Sequence, residues 1–191
     1  MSCTITSGIG IACADLKRVG GVNKRLWLFN MDDLRTPIDV TQTTITNLNF
    51  NSYALLYKFE GQKFAHSASA KLVRTDSGNI SFEHTVNLKV NNTTATEDQV
   101  IENLAVAEVG AIVQTNNNEF FIFGGGNGLI AMEMEDSTGQ KLGDEEVTVI
   151  KLTGSETTLA KRFARPAGAQ GSILNETLYY LNALSNSNIT V

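Results

Sequence analysis

Two runs of strict alternation constrain this chain more than anything else in it. In "KFAHSASAKLV", residues 63–73, Phe64, His66, Ala68, Ala70 and Leu72 fall on one side of an extended backbone, and Lys63, Ser67, Ser69 and Lys71 on the other. In "NISFEHTVNLKV", residues 79–90, Ile80, Phe82, His84, Val86, Leu88 and Val90 alternate with Ser81, Glu83, Thr85, Asn87 and Lys89. A period of two held for so long excludes a helix, whose faces repeat about every 3.6 residues. Between the runs stands "RTDSGN", rich in turn formers. Residues 63–90 therefore predict one long antiparallel β-hairpin with an apolar face and a wet face.

Such a hairpin needs a body to cover its apolar face, and 191 residues are enough for one sizeable core. The whole chain, 1–191, reads as a single β-rich domain, with residues 1–20 as an extended N-terminal arm. Its 18 Asn, 20 Thr and two Pro favour strands and turns over long helices. Further strands are expected at Lys24–Asn30, Tyr53–Phe59, Ala111–Thr115, Glu119–Phe123, Leu129–Met134 and Glu146–Leu152. One helix is expected over residues 96–109: Thr94 with Glu97 fits a capping box, and Val100, Ile101, Leu104 and Val106 form a stripe at helical spacing. "SETTLAKRFA", residues 155–164, is read as a short second helix ended at Pro166, and "TLYYLNAL" as either a strand or a helix. The expected class is mainly β with one flanking α-helix (α+β), an antiparallel β-sandwich or small barrel with a long hairpin.

Composition removes several functions. The net charge is −5, pI is near 5.0, and no basic run appears, which disfavours electrostatic capture of nucleic acid. No apolar stretch has the length of a membrane span, and the N-terminus lacks the basic start and long apolar core of a signal peptide, so synthesis in a cytoplasm is expected. Cys3 and Cys13 are the only cysteines, and His66 and His84 are far from them in sequence, so no metal site is expected. The histidines lie on apolar strand faces without a neighbouring nucleophile, and no nucleophile elbow or Walker loop exists, so no enzyme is expected. Glu133, Glu135, Asp136, Asp144, Glu145 and Glu146 lack the regular oxygen spacing of a calcium loop. No cofactor is expected.

"FIFGGGNGLIAM", residues 121–132, raises the question of a phosphate cradle. A phosphate loop leads from a strand into a helix N-terminus, yet Gly128 is followed by Leu129, Ile130, Ala131 and Met132, with no Lys-Ser/Thr and no helix start. The stretch is expected to be a strand-to-strand hairpin turn, with Asn127 and Gly128 at positive φ and Gly125 allowing close approach of a neighbouring subunit.

The two early cysteines, the Gly-Gly that opens "VNKRLWLFNMDD", the "FGGGNGL" turn and the following "STGQKLGDEEVTVIKLTGSE" together resemble small virion structural proteins of tailed bacteriophages that infect gut Bacteroidetes, most closely their tail tube proteins. The resemblance implies a β-sandwich or small barrel with one helix, made in the host cytoplasm and placed in the virion tail. It also implies homo-oligomeric rings that stack into a hollow tube, contacts with other tail or neck proteins, and transient passage of DNA without sequence-specific binding. Ser67, Ser69, Ser81, Glu83, Thr85, Asn87 and Lys89 are then the candidate lumen-facing residues. Candidate subunit contacts are the hairpin tip Thr75, Asp76, Ser77 and Gly78, together with Gly125 and the basic residues Lys161, Arg162 and Arg165. A neck ring, a head decoration protein and a soluble ligand-binding β-sandwich remain as alternatives.

Overall fold

A computed structural model describes residues 20–39, 41–51, 55–61, 65–76, 78–91, 94–137, 146–166, 168 and 171–186. Cys3, Cys13, Lys63, Phe64, Ser77, Asp144, Glu145 and the N-terminal arm lie outside the described residues. In chain order the elements are β1 (Val22–Asn30), β2 (Thr44–Ile45), β3 (Tyr57–Glu60), β4 (Ser67–Arg74), β5 (Ile80–Asn91), α1 (Ala95–Leu104), β6 (Val109–Thr115), β7 (Phe120–Phe123), β8 (Ile130–Ser137), β9 (Val147–Glu156), β10 (Lys161–Phe163) and α2 (Ile173–Asn186). The strands form two sheets, a six-stranded one in the order β2-β10-β7-β6-β1-β3 and a four-stranded one in the order β4-β5-β9-β8. Mainly β, with helices at the flank of a sandwich, is thus the observed class.

Two cores explain the two kinds of strand. Between the sheets, Leu26 and Leu28 of β1, Ala111 and Val113 of β6, Val86 and Leu88 of β5, and Ile150 and Leu152 of β9 interlock, closed at one side by Ile101 and Leu104 of α1. On the far face of the six-stranded sheet, Trp27, Phe29, Ile112, Ile122 and Phe163 pack under Leu181 of α2 and under Ile38, Ile45 and Leu48. β1 and β6 are therefore buried on both faces and read as continuous apolar runs, whereas β5 and β9 are covered on one face and alternate. Each fully buried large apolar side chain, such as Leu26 or Phe29, contributes about 1.5–3 kcal/mol by leaving water.

The expected hairpin is present, and its register sets Ser67 opposite Asn87, Ser69 opposite Thr85 and Lys71 opposite Glu83. Its turn is held by Thr75, whose backbone N–H donates to Asn79 O at 3.0 Å and whose Oγ1 accepts the Asn79 N–H at 3.1 Å, while Gly78 takes φ 86°. Little of it projects: β9 pairs along β5 as far as Phe82 opposite Glu156, so only Ile80, Ser81 and the turn run beyond the sheet on that arm.

Three local expectations are corrected. The helix α1 stops at Leu104 rather than 109, because Val109 and Gly110 are drawn into β6 beside Phe29 and Asn30. Residues 155–164 form no helix: they end β9 and build β10, since buried Phe163 sits between Phe120 of β7 and Ile45 of β2. The second helix is instead α2, which settles the segment left open between strand and helix. There Thr177 accepts the Arg165 N–H and Tyr180 donates to Leu48 O, tying the helix over the second core.

Candidate assembly surface

The outer face of the four-stranded sheet collects the wet residues of the hairpin. All seven lumen candidates have a strand partner here: Ser67 faces Asn87 and Ser69 faces Thr85 across β4–β5, and Glu83 and Lys89 face Ser155 and Val149 across β5–β9. Ser81 lies opposite Val73 on the same face. All seven are exposed or half-buried.

The register adds residues that sequence reading missed. Lys71, Val73, Val147, Val149, Lys151, Thr153 and Ser155 share this face, and across β9–β8 so do Ile130, Glu133, Glu135 and Ser137. The signal was available in "VTVIKLTGSE", which alternates like β5, but only the sheet order shows which side it presents. Three lysines (Lys71, Lys89, Lys151) meet three glutamates (Glu83, Glu133, Glu135), so the charged groups of this face cancel. Lys151 and Glu133 form an ion pair at 2.9 Å. Asp136, from the same acidic run, turns to the other face and accepts the Thr148 hydroxyl at 3.0 Å. Among the described residues no group of acidic, His and Cys side chains could hold a metal ion.

Both margins of this sheet are open, since β4 and β8 each have a strand neighbour on one side alone among the described residues. Every pairing within the sheet is antiparallel, so β4 and β8 run in opposite directions.

The other candidate contacts fall in different places. Thr75, Asp76 and Gly78 are exposed at the hairpin tip, near Leu72 and Ile80, which are 50% and 51% exposed on the apolar side. Arg162 pairs with Glu119 at 2.8 Å and lies over the Phe121 ring, whereas Arg165 donates to Thr46 O and Asn47 Oδ1 and stacks on Tyr180. Lys161 lies in β10 opposite Ile122. Gly125 is buried inside its own fold: a Cβ there would stand 3.1 Å from Ile122 Cγ2 and 3.6 Å from Ile38 Cδ1. That position cannot serve as an open surface for a neighbour.

The glycine stretch is also not a hairpin turn. β7 belongs to the six-stranded sheet and β8 to the four-stranded one, so residues 124–129 carry the chain from one layer to the other. Gly124 and Gly128 take φ 65° and 79°, and Asn127 does not have positive φ. Two buried polar side chains clasp the crossover. The carboxylate of Glu156 accepts the N–H groups of Gly126 and Asn127 at 3.0 and 2.9 Å, and Asn127 Nδ2 donates to Ser155 O. His84 Nδ1 accepts the Gly124 N–H at 3.2 Å while Nε2 bonds to Thr158 O at 3.0 Å, which fixes the neutral tautomer with its proton on Nε2. Burial holds His84 below the ordinary imidazole value, against the opposing pull of the Glu156 charge. His66 is likewise held down by burial, opposed by the Lys24 backbone, and its Nδ1 accepts the Lys89 N–H at 3.2 Å. Both histidines have structural roles.

No protein-family model, curated protein or solved structure matches this chain. No helix among the described residues is long and apolar enough to cross a membrane.

Proposed function

We propose that this chain is a non-enzymatic virion structural protein, a tail tube subunit whose copies join edge to edge into rings that stack into a conduit for DNA. The observation that carries this reading is the four-stranded sheet with two open margins of opposite direction. Rotating one copy about an axis beside the polar face brings its β8 alongside β4 of the next copy with antiparallel polarity. An even number of alternating strands lets that pattern repeat without a break. A head-to-tail contact of this kind closes into a ring when the rotation divides a full turn, and closure removes the edges that would otherwise recruit stray strands. The wet face then turns to the lumen and the other face keeps its core.

The charge on that face supports the same reading. Phosphate is retained by unopposed Lys and Arg, through counterion release. A face on which three lysines meet three glutamates offers little net attraction and lets DNA pass.

Negative-stain electron microscopy of the purified protein tests the proposal. Stacked rings or tubes are expected. Discrete rings that never stack would favour a neck collar, and a monomer that stays monomeric alone and with virion tail components would contradict both.

A further inference from the structure

The main chain at the two open margins of the four-stranded sheet restricts how copies can meet. Thr75 N–H donates to Asn79 O at 3.0 Å, and along an antiparallel ladder residues that turn their N–H and C=O toward one neighbour alternate with those that turn them away. Ser69, Lys71 and Val73 therefore bond to Thr85, Glu83 and Ser81 of β5, while Ala70, Leu72 and Arg74 point their backbone groups outward. Carried across β5 and β9, the same alternation bonds Glu133, Glu135 and Ser137 of β8 to Lys151, Val149 and Val147. Met134 and Asp136 are left pointing outward. One end of the β8 margin is closed, because Leu129 exchanges both backbone hydrogen bonds with Val109, at 2.9 and 2.7 Å.

We infer that β4 of one copy pairs with β8 of the next in a single register, which sets Lys71 opposite the neighbour's Glu135 and Leu72 opposite its Met134. This inference rests on the tail tube reading and names the pairing within it. A shift by one residue would set outward-pointing groups against inward-pointing ones and turn polar side chains onto the apolar face, so the alternatives lie two residues away. Two residues nearer the closed end, Arg74 meets Ile130 beside Val109, and Lys71 meets Glu133, whose carboxylate Lys151 already holds at 2.9 Å. Two residues the other way, apolar Leu72 meets the Asp136 carboxylate and Lys71 meets Ser137. In the inferred register Glu135, whose own strand partner is Val149, gains a lysine. Leu72 and Met134, 50% and 39% exposed in the single copy, cover each other. The neighbour's β4 then ends at the irregularity of β8 between Ala131 and Glu133, short of the stretch that Val109 closes.

Full-length protein with Cys3→Ser and Cys13→Ser carries no native thiol, so introduced cysteine pairs report the register. Within one copy, positions 71 and 135 lie on opposite margins, at least three strand spacings or about 14 Å apart. A disulfide needs Cα atoms within about 7 Å, so any bond between these positions joins two copies. In the inferred register they form a directly opposed pair about 4.5 Å apart at Cα. Oxidation of the assembled protein is expected to link the Lys71→Cys/Glu135→Cys variant into covalent multimers at least about tenfold faster than Lys71→Cys/Glu133→Cys or Val73→Cys/Glu135→Cys, which report the registers two residues to either side. Equal or faster linkage in either shifted pair would overturn the register and leave edge joining standing. Absence of linkage in all three would overturn edge joining as well, and the tail tube reading with it.

Discussion

The carboxylate of Glu156 accepts the backbone N–H of Gly126 at 3.0 Å, so the glycine stretch does bind an anion, and the anion is the protein's own. Successive backbone N–H groups make a concavity suited to negative charge. A residue 30 positions away in sequence occupies it, which pins the link between the two sheets.

Glu156→Ala removes the acceptor shared by Gly126 and Asn127. A loss of about 2 kcal/mol in unfolding free energy is expected, because charge-assisted hydrogen bonds vanish and their donors are left poorly solvated. Glu156→Gln keeps an acceptor oxygen and should cost less than half as much. Urea denaturation of the two variants checks the order, and equal losses would refute the role given to the charge.

Gly154 lies where the crossover passes over β9, and a Cβ there would meet Gly128 O at a distance no contact tolerates. Backbone cannot yield as a side chain can, so Gly154→Ala is expected to cost about 3 kcal/mol. Gly20 has nothing within 4 Å of its Cβ position and no positive φ, so Gly20→Ala should stay within about 0.5 kcal/mol. Thermal or urea unfolding of the pair measures the contrast.

Stability should fall on mild acidification. His66 and His84 are held below the ordinary value of 6.5 in the fold, so below that pH the unfolded chain binds more protons than the native one. Native stability is then full above about pH 7 and declines as pH drops through 6.5 toward the lowered folded values, by at most about 1.4 kcal/mol per pH unit for each histidine. Glu97, lowered mainly by the Thr94 backbone hydrogen bond, acts in the same direction only near the carboxylate range. Replacing both histidines with Asn should flatten the decline between pH 7 and 5. An unchanged slope would place its source elsewhere.

Reversing Glu83, Glu133 and Glu135 to Lys leaves the outer face of the four-stranded sheet with six lysines and no opposing acid among its named charges. The triple variant is expected to retain double-stranded DNA at low salt, with affinity falling steeply as salt rises, while the parent protein does not. DNA retention by the parent at physiological salt would contradict a passive lumen.

The hairpin is legible because period two survives any tertiary context, and burial of one face decides which residues point outward, though not which residues pair. Likewise α1 announced itself through Thr94 and Glu97, and Glu97 does accept the Thr94 N–H at 2.7 Å. What sequence could not give was sheet membership. Phe121 and Phe123 look the same whether β7 turns back on β8 or hands the chain to the other layer, so the sequence alone predicts a hairpin where the chain crosses between sheets. Glu156 was hidden by the same limit. Its partners lie far off in sequence, and the neighbouring Thr-Thr-Leu-Ala-Lys run has helical composition until Phe163 is claimed by the second core.

Edge-to-edge joining of β4 with β8 is the central claim, and hydrogen exchange of assembled particles against dispersed monomer tests it most directly. The outward amides of Ser67–Arg74 and Ile130–Ser137 are expected to gain protection together on assembly, while those of β5 and β9, already paired on both sides, change little. Assemblies in which β4 and β8 exchange as fast as in the monomer would contradict it.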